Sequence, residues 1–135
     1  MELTLEQVRE RFKTDRFAVG VMGIEIVEAR VGYAKVKLDV SEKHFNTVNI
    51  VQGGVIFTLA DFAFAVASNT GADAATVGIE CNMSFIKPTT SGTLFAEAVL
   101  IGKSKSLCSY NVSVTNEKGE LAAQFYGRGF LRQNR

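Results

Sequence analysis

The chain has 135 residues, enough for one domain with a sizeable core, and 47% hydrophobic with 21% charged residues is an ordinary globular balance. Its net charge of +1 gives no general electrostatic reason to bind nucleic acid, so an anionic partner has to be met locally. Residues 1–15 are charged where a signal peptide is apolar, and Gln52, Thr58, Asp61 and Ser68 interrupt the best apolar run, so neither a leader nor a membrane span is expected.

Residues 4–14 read as a short amphipathic helix, with Thr4 and Gln7 at capping-box spacing and Leu5, Val8 and Phe12 on one face. Strand alternation follows in "YAKVKLDV", where Ala34, Val36, Leu38 and Val40 point one way and Lys35, Lys37 and Asp39 the other. Residues 23–31 can pair with it through a turn at Gly32. A long apolar helix is expected over about 53–70, ending near Gly71. Four strand-like runs come after it, at 75–87, 93–103, 106–115 and 121–132. "KPTTSG" at 87–92 breaks the chain, and "NEKG" at 116–119 is a hairpin turn with Gly119 free to take positive φ.

This order predicts a single α+β domain over 1–135 with an antiparallel sheet. The long helix carries Val55, Ile56, Phe57, Leu59, Phe62, Phe64 and Val66, which cannot all face one plane, so the sheet has to curl around it. The aromatic side chains Phe57, Phe62, Phe64, Phe85 and Phe95 are assigned to the core. Cys81 and Cys108 form no close pair, so no metal site is expected, and two ordinary thiols fit reduced, cytoplasmic surroundings.

One helix face breaks the apolar pattern. Gly54, Thr58, Asp61, Ala65 and Ser68 fall on one stripe in which every member is small or polar. Close helix packing accounts for the small residues, and back-bonding to carbonyls accounts for Thr58 and Ser68. Asp61 stands apart, because a buried carboxylate is expensive without partners and no cation lies near it in sequence. Two readings follow: a lysine or arginine distant in sequence pairs with it, or it is a general base or nucleophile in a cleft. Before the helix stand Gln52, Gly53 and Gly54, with no Ser, Thr, Asp or Asn to cap it. First-turn amides left free there, at the positive end of the helix dipole, suit a polarised carbonyl or an oxyanion.

Gly54 and Asp61 lie seven residues apart, so about 10 Å along a helix rising ~1.5 Å per residue. If both act on one carbonyl, two chains must face each other with antiparallel long helices, giving a symmetric dimer with two composite sites.

"HFNTVNIVQGGVIFTLADFAFAVASN" and "VGIECNMSFIKPTTSGTLFAEA" resemble the hot-dog-fold acyl-CoA thioesterases of the PaaI-like (phenylacetic acid degradation) group. Asn46, Gly53, Gly54 and Asp61 match the family's core motif, and Asn82, Phe85 and Pro88 match the run that follows. The resemblance implies a long helix wrapped by an antiparallel sheet of five to six strands, homodimers with joined sheets and shared active sites, and dimers of dimers. It implies acyl- or aroyl-CoA substrates, with CoA entering only as part of the substrate and no metal or other cofactor. Asp61 would be base or nucleophile, the Gly53 and Gly54 amides would polarise the carbonyl, and Asn46 would orient water or substrate.

Gln52 stands where the family has histidine. It can still donate a hydrogen bond but cannot titrate near neutrality. The lone histidine, His44, reads as a solvated loop residue. Ser68 is either a hydroxyl for the attacking water or a plain helix-end serine, and Asn82 is a substrate-binding candidate through the motif. Lys87, Lys103, Lys105 and Arg128 are candidates for the CoA phosphates by charge and strand-end position, against a surface role for each. The main alternative to hydrolysis is an acyl-CoA-binding sensor or carrier of the same fold. A hydratase would need a histidine paired with an acid, and none is placed for that.

Overall fold

A computed structural model describes residues 2–71 and 75–132; the ends of the expected 1–135 domain lie outside them. The chain opens with α1 (Leu5–Phe12), capped as its spacing predicts: Thr4 Oγ1 accepts from Gln7 N–H at 3.2 Å, and Thr4 N–H donates to Gln7 Oε1 at 2.9 Å. Val8 is fully buried, and the Phe12 ring meets Phe62 edge-on at 5.6 Å. A π-helical turn over Arg16–Val21 follows, an element with no signature in the sequence reading.

Strands β1 (Glu25–Arg30) and β2 (Tyr33–Asp39) form a hairpin turning at Gly32, whose φ of 81° is open to glycine. A short 3-10 turn at Glu42–His44 leads to the long helix α2 (Gly53–Ser68), which is capped by Asn69 before Gly71. The strands β3 (Thr76–Phe85), β4 (Thr93–Lys103), β5 (Leu107–Thr115) and β6 (Leu121–Leu131) complete a six-stranded sheet in the order β1-β2-β4-β5-β6-β3. Every pairing is antiparallel. The sheet curls around α2, the α+β hot-dog architecture that the resemblance implies. Because β3 pairs with β6, the strand that leaves the helix lies at an edge of the sheet.

Alternation along the strands builds the core. Ala34, Val36 and Leu38 of β2, Leu94, Ala96 and Ala98 of β4, and Val112 and Val114 of β5 turn toward α2 and are fully buried. From the helix come Ile56, Leu59, Phe62, Phe64 and Val66. Phe64 sits in a recess that three glycines provide. An added Cβ would lie 3.4 Å from its ring at Gly78, 3.3 Å at Gly127 and 3.2 Å at Gly129. Phe57 packs beside Phe125 at 5.4 Å, so the helix aromatics do belong to the core. Phe85 does not. It is 58% exposed near the end of β3, because an edge strand has no neighbour to cover it. Phe95 is half-buried beneath Lys35.

Candidate active site

At the start of α2, Gln52 occupies the N-cap position with extended backbone (φ −62°, ψ 141°) and makes no capping hydrogen bond through its side chain. Among the described residues, no acceptor meets the Gly53 or Gly54 N–H. The two missing side chains leave room for particular neighbours. A Cβ on Gly53 would lie 3.1 Å from Phe85 Cζ, and one on Gly54 would lie 3.1 Å from Gln52 Oε1. The Phe85 ring and the Gln52 carboxamide therefore rest against the glycine pair.

Asn46 stands just before this helix start, and its Oδ1 accepts from Val48 N–H at 2.9 Å and Ile50 N–H at 3.2 Å. That bond pair folds the loop whose Asn49 takes a φ of 61°. The Asn46 oxygen is thus spent on the loop, leaving its amide N–H groups as the donors toward a cleft of about 240 Å³. Asn46, Gly53, Ile56, Phe85 and Lys87 line that cleft.

Asp61 lies two turns along the helix, half-buried on the stripe with Gly54 exposed and Thr58 and Ala65 half-buried. Among the described residues it makes no ion pair and no side-chain hydrogen bond, so no cation distant in sequence reaches it. Burial pushes its carboxyl above the ordinary aspartate range, and the negative charge of Asp15 adds to the rise. Cys81 faces it from β3, its own thiol pushed up by burial and then by Asp61.

The other named residues separate. Ser68 is buried and donates to Phe64 O at 2.8 Å, an intrahelical bond that ties up its hydroxyl. Thr58 does the same to Gly54 O at 2.8 Å. Asn82 pairs opposite Tyr126, on the sheet face turned away from α2, and Arg128 shares that face 3.8 Å from Glu80. Lys87 borders the Gly53 cleft and is ion-paired to Glu120 at 2.6 Å. Lys103 and Lys105 are exposed at the far end of the sheet, where Arg128 is half-buried. One chain thus brings only Lys87 of these four cations to its own helix start.

His44 corrects an expectation. It is 2% exposed, accepts at Nδ1 from Ser41 N–H at 3.0 Å, and its Nε2 donates to Met22 O at 3.0 Å. Both ring nitrogens are used to fasten the loop, so the imidazole is structural, and not solvated. Three residues escaped the sequence reading of the site: Phe85 over Gly53, Cys81, whose thiol the Asp61 charge helps push up, and Asp15, whose charge adds to the rise at Asp61. Alternation along β3 carries a signal for the first two, since Cys81, Met83 and Phe85 share the face opposite Asn82. Asp15 has none. Among the described residues no three metal-ligating side chains gather, and no helix is long and apolar enough to cross a membrane.

Comparison with known proteins matches residues 48–123 to the thioesterase superfamily. A relative from Archaeoglobus fulgidus is 35% identical over 88% of this chain and 77% of its own. The acyl-coenzyme A thioesterase PaaI of Escherichia coli K12 is 33% identical over 79% of this chain and 76% of its own. Among solved structures, a variant of the phenylacetic acid degradation protein PaaI from Thermus thermophilus superposes with a TM-score of 0.77. It is 32% identical, covering 84% of this chain and 96% of that one.

Proposed function

The chain belongs to the thioesterase superfamily and is a thioester hydrolase, and on that premise we propose that it cleaves an acyl- or aroyl-CoA thioester at a site shared by two chains. The name of the E. coli relative supports CoA thioesters as the substrate class, as does that of a 1,4-dihydroxy-2-naphthoyl-CoA hydrolase from Listeria monocytogenes, 34% identical over 74% of this chain. One observation carries the assignment of roles: among the described residues, a half-buried carboxylate without a counterion shares the helix, and the Gly54 stripe, with a start whose Gly53 and Gly54 amides have no acceptor.

In this reading the thioester oxygen accepts from the Gly53 or Gly54 N–H, helped by the positive end of α2. Asp61 of the facing chain takes a proton from water as the water oxygen attacks the carbonyl carbon. The tetrahedral intermediate collapses, the C–S bond breaks, and the proton held by Asp61 passes to the leaving CoA sulfur. Direct attack by Asp61, with an anhydride as intermediate, uses the same residues. Asn46 is suited to orient substrate through its amide N–H groups, and Gln52 to donate where a histidine would.

The homodimer is part of the proposal. Gly54 and Asp61 of one helix are about 10 Å apart at ~1.5 Å per residue, too far for one carbonyl. The surface that would join two chains is also unusual for a free one: β3 has an unpaired edge, and its Val77 and Ile79 are 48% and 55% exposed. With the helices antiparallel, the partner's Lys103, Lys105 and Arg128 end would approach this chain's Lys87 and supply the cations missing there for CoA phosphates. Dimers of dimers, as the family resemblance implies, complete the expected assembly.

The test is thiol release from short-chain, aromatic and long-chain acyl-CoAs by wild type and Asp61→Asn. Loss of the base is expected to lower kcat by ~10²–10⁴-fold while the fold persists. An unchanged rate removes Asp61 from the mechanism. Tight acyl-CoA binding without release in the wild type would instead favour a sensor or carrier, the role that Gln52 in place of histidine makes the natural competitor.

A further inference from the structure

The cleft at the helix start has mostly apolar walls. Ile50 and Val51 come from the loop before α2, Ile56 from its first turn, and Phe85, Ile86 and Pro88 from the end of β3 and just beyond. Val51 and Ile56 are buried in the core and cannot give way, whereas Phe85 and Ile86 are exposed. The tip of the Phe85 ring reaches the helix start itself: a Cβ on Gly53 would lie 3.1 Å from its Cζ and 3.4 Å from its Cε1. A carbonyl oxygen that accepts from Gly53 N–H at ~2.9 Å therefore sets the groups bonded to its carbon beside that ring.

Two groups leave a thioester carbonyl, the acyl group and the thiol arm of CoA, and they ask for different walls. The arm carries amides that need hydrogen-bond partners. The backbone donors of the cleft are already taken. Ile50 N–H donates to Asn46 Oδ1 at 3.2 Å, Val51 N–H to Thr89 O at 2.9 Å and Ile56 N–H to Gln52 O at 3.3 Å. Ile86 and Lys87 N–H both donate to Ala122 O, at 2.9 and 3.1 Å, and Pro88 has no N–H to offer. Lys87 turns its ammonium to Glu120 at 2.6 Å, outside the cleft, and leaves it an aliphatic stem. Walls of this kind suit an apolar acyl group. A cavity of ~150 Å³ holds a benzene molecule. The cleft of about 240 Å³ thus has room for one ring on a short linker or a short branched chain, while a long straight chain has to leave it.

We propose that Phe85 is the specificity-determining residue of the site, its ring forming the wall of an acyl cleft that fits a compact apolar group. This rests on the Gly53 amide as the donor to the thioester oxygen. An aromatic wall meets another ring edge-on or offset and gains from excluding water against any compact apolar group. Its tip is held by a residue without a side chain, so the wall stands against the reacting carbonyl and measures the acyl group from its first carbons.

The experiment compares kcat/KM for benzoyl-, isovaleryl- and lauroyl-CoA, read by thiol release, in wild type, Phe85→Ala and Phe85→Leu. The wild type is expected to favour the two compact groups over lauroyl. Phe85→Ala is expected to lower the benzoyl-to-lauroyl ratio by ~10-fold or more. Phe85→Leu is expected to shift it in the same direction by less, and serves if the alanine variant does not fold. The same shift is expected when the acyl groups are carried on N-acetylcysteamine, which lacks most of the CoA arm. A wild type that favours lauroyl, an unmoved ratio, or a shift seen only with CoA overturns the inference. So does an alanine variant that sediments as a smaller assembly than wild type with its ratio unchanged, since the ring then belongs to a contact between chains. Asp61→Asn separates the two readings: wild-type turnover there overturns the base assignment and leaves the ratio to decide Phe85, whereas an inactive Asp61→Asn beside an unmoved ratio overturns this inference alone.

Discussion

Burial holds the Asp61 carboxyl above the ordinary aspartate range, and no ion pair among the described residues offsets the lost water. The thermodynamic sign follows from proton uptake. A folded state that binds the proton more tightly than the unfolded chain loses stability as pH rises from the ordinary aspartate value through the raised one. Wherever the acid is ionised it is therefore a cost that the fold carries, one that the proposed role of Asp61 as base accounts for. Asp61→Asn is expected to melt a few degrees above wild type at pH 7, with the gap closing below about pH 4. Melting curves across that range check it, and a gap that is constant or widens toward acid contradicts the account. His44 shows the opposite economy: a titratable ring placed in the core with both nitrogens engaged, where it fastens the loop leading to Gly53.

At the scale of elements, the approach of α2 to the β3–β6 end of the sheet depends on glycines. A Cβ at Gly129 would fall 2.5 Å from Thr76 Cγ2, 3.1 Å from Cys108 Sγ and 3.2 Å from the Phe64 ring. Gly129→Ala is expected to cost about 1–3 kcal/mol in chemical denaturation, the usual range for overpacking, while Gly102→Ala, where nothing lies within 4 Å, serves as the near-neutral control. The sequence speaks clearly where the physics is local. Thr4 and Gln7 announce their cap, Gly32 and Gly119 their turns, and the stripe through Gly54, Thr58 and Asp61 its outward direction. Alternation places the β2, β4 and β5 cores for the same reason. What depends on tertiary docking is silent: the crossing that sends β3 to the edge, the burial of His44 and the exposure of Phe85. The π-helical turn is silent too, since its residues carry no spacing that distinguishes it from a loop.

For the whole molecule the open edge of β3 is the decisive feature. Ile79 is exposed and lies at the break in register between Gly78 and Glu80, so a charged side chain there disturbs little within one chain. Ile79→Lys is expected to leave the stability of the single chain within about 0.5 kcal/mol of wild type, to sediment as a monomer, and to release thiol far more slowly than wild type. A variant that is monomeric and fully active would end the idea of a shared site. The recess around Phe64 bears on the same geometry. A smooth apolar cylinder in an apolar sheath is free to turn about its own axis, because the hydrophobic driving force has no directional preference. A ring dropped among Gly78, Gly127 and Gly129 acts as a key in a keyway and fixes that rotational phase. Asp61, three residues before Phe64 on the same rigid screw, takes its heading from the notch, so the aim of the acid is set by side chains that are not there.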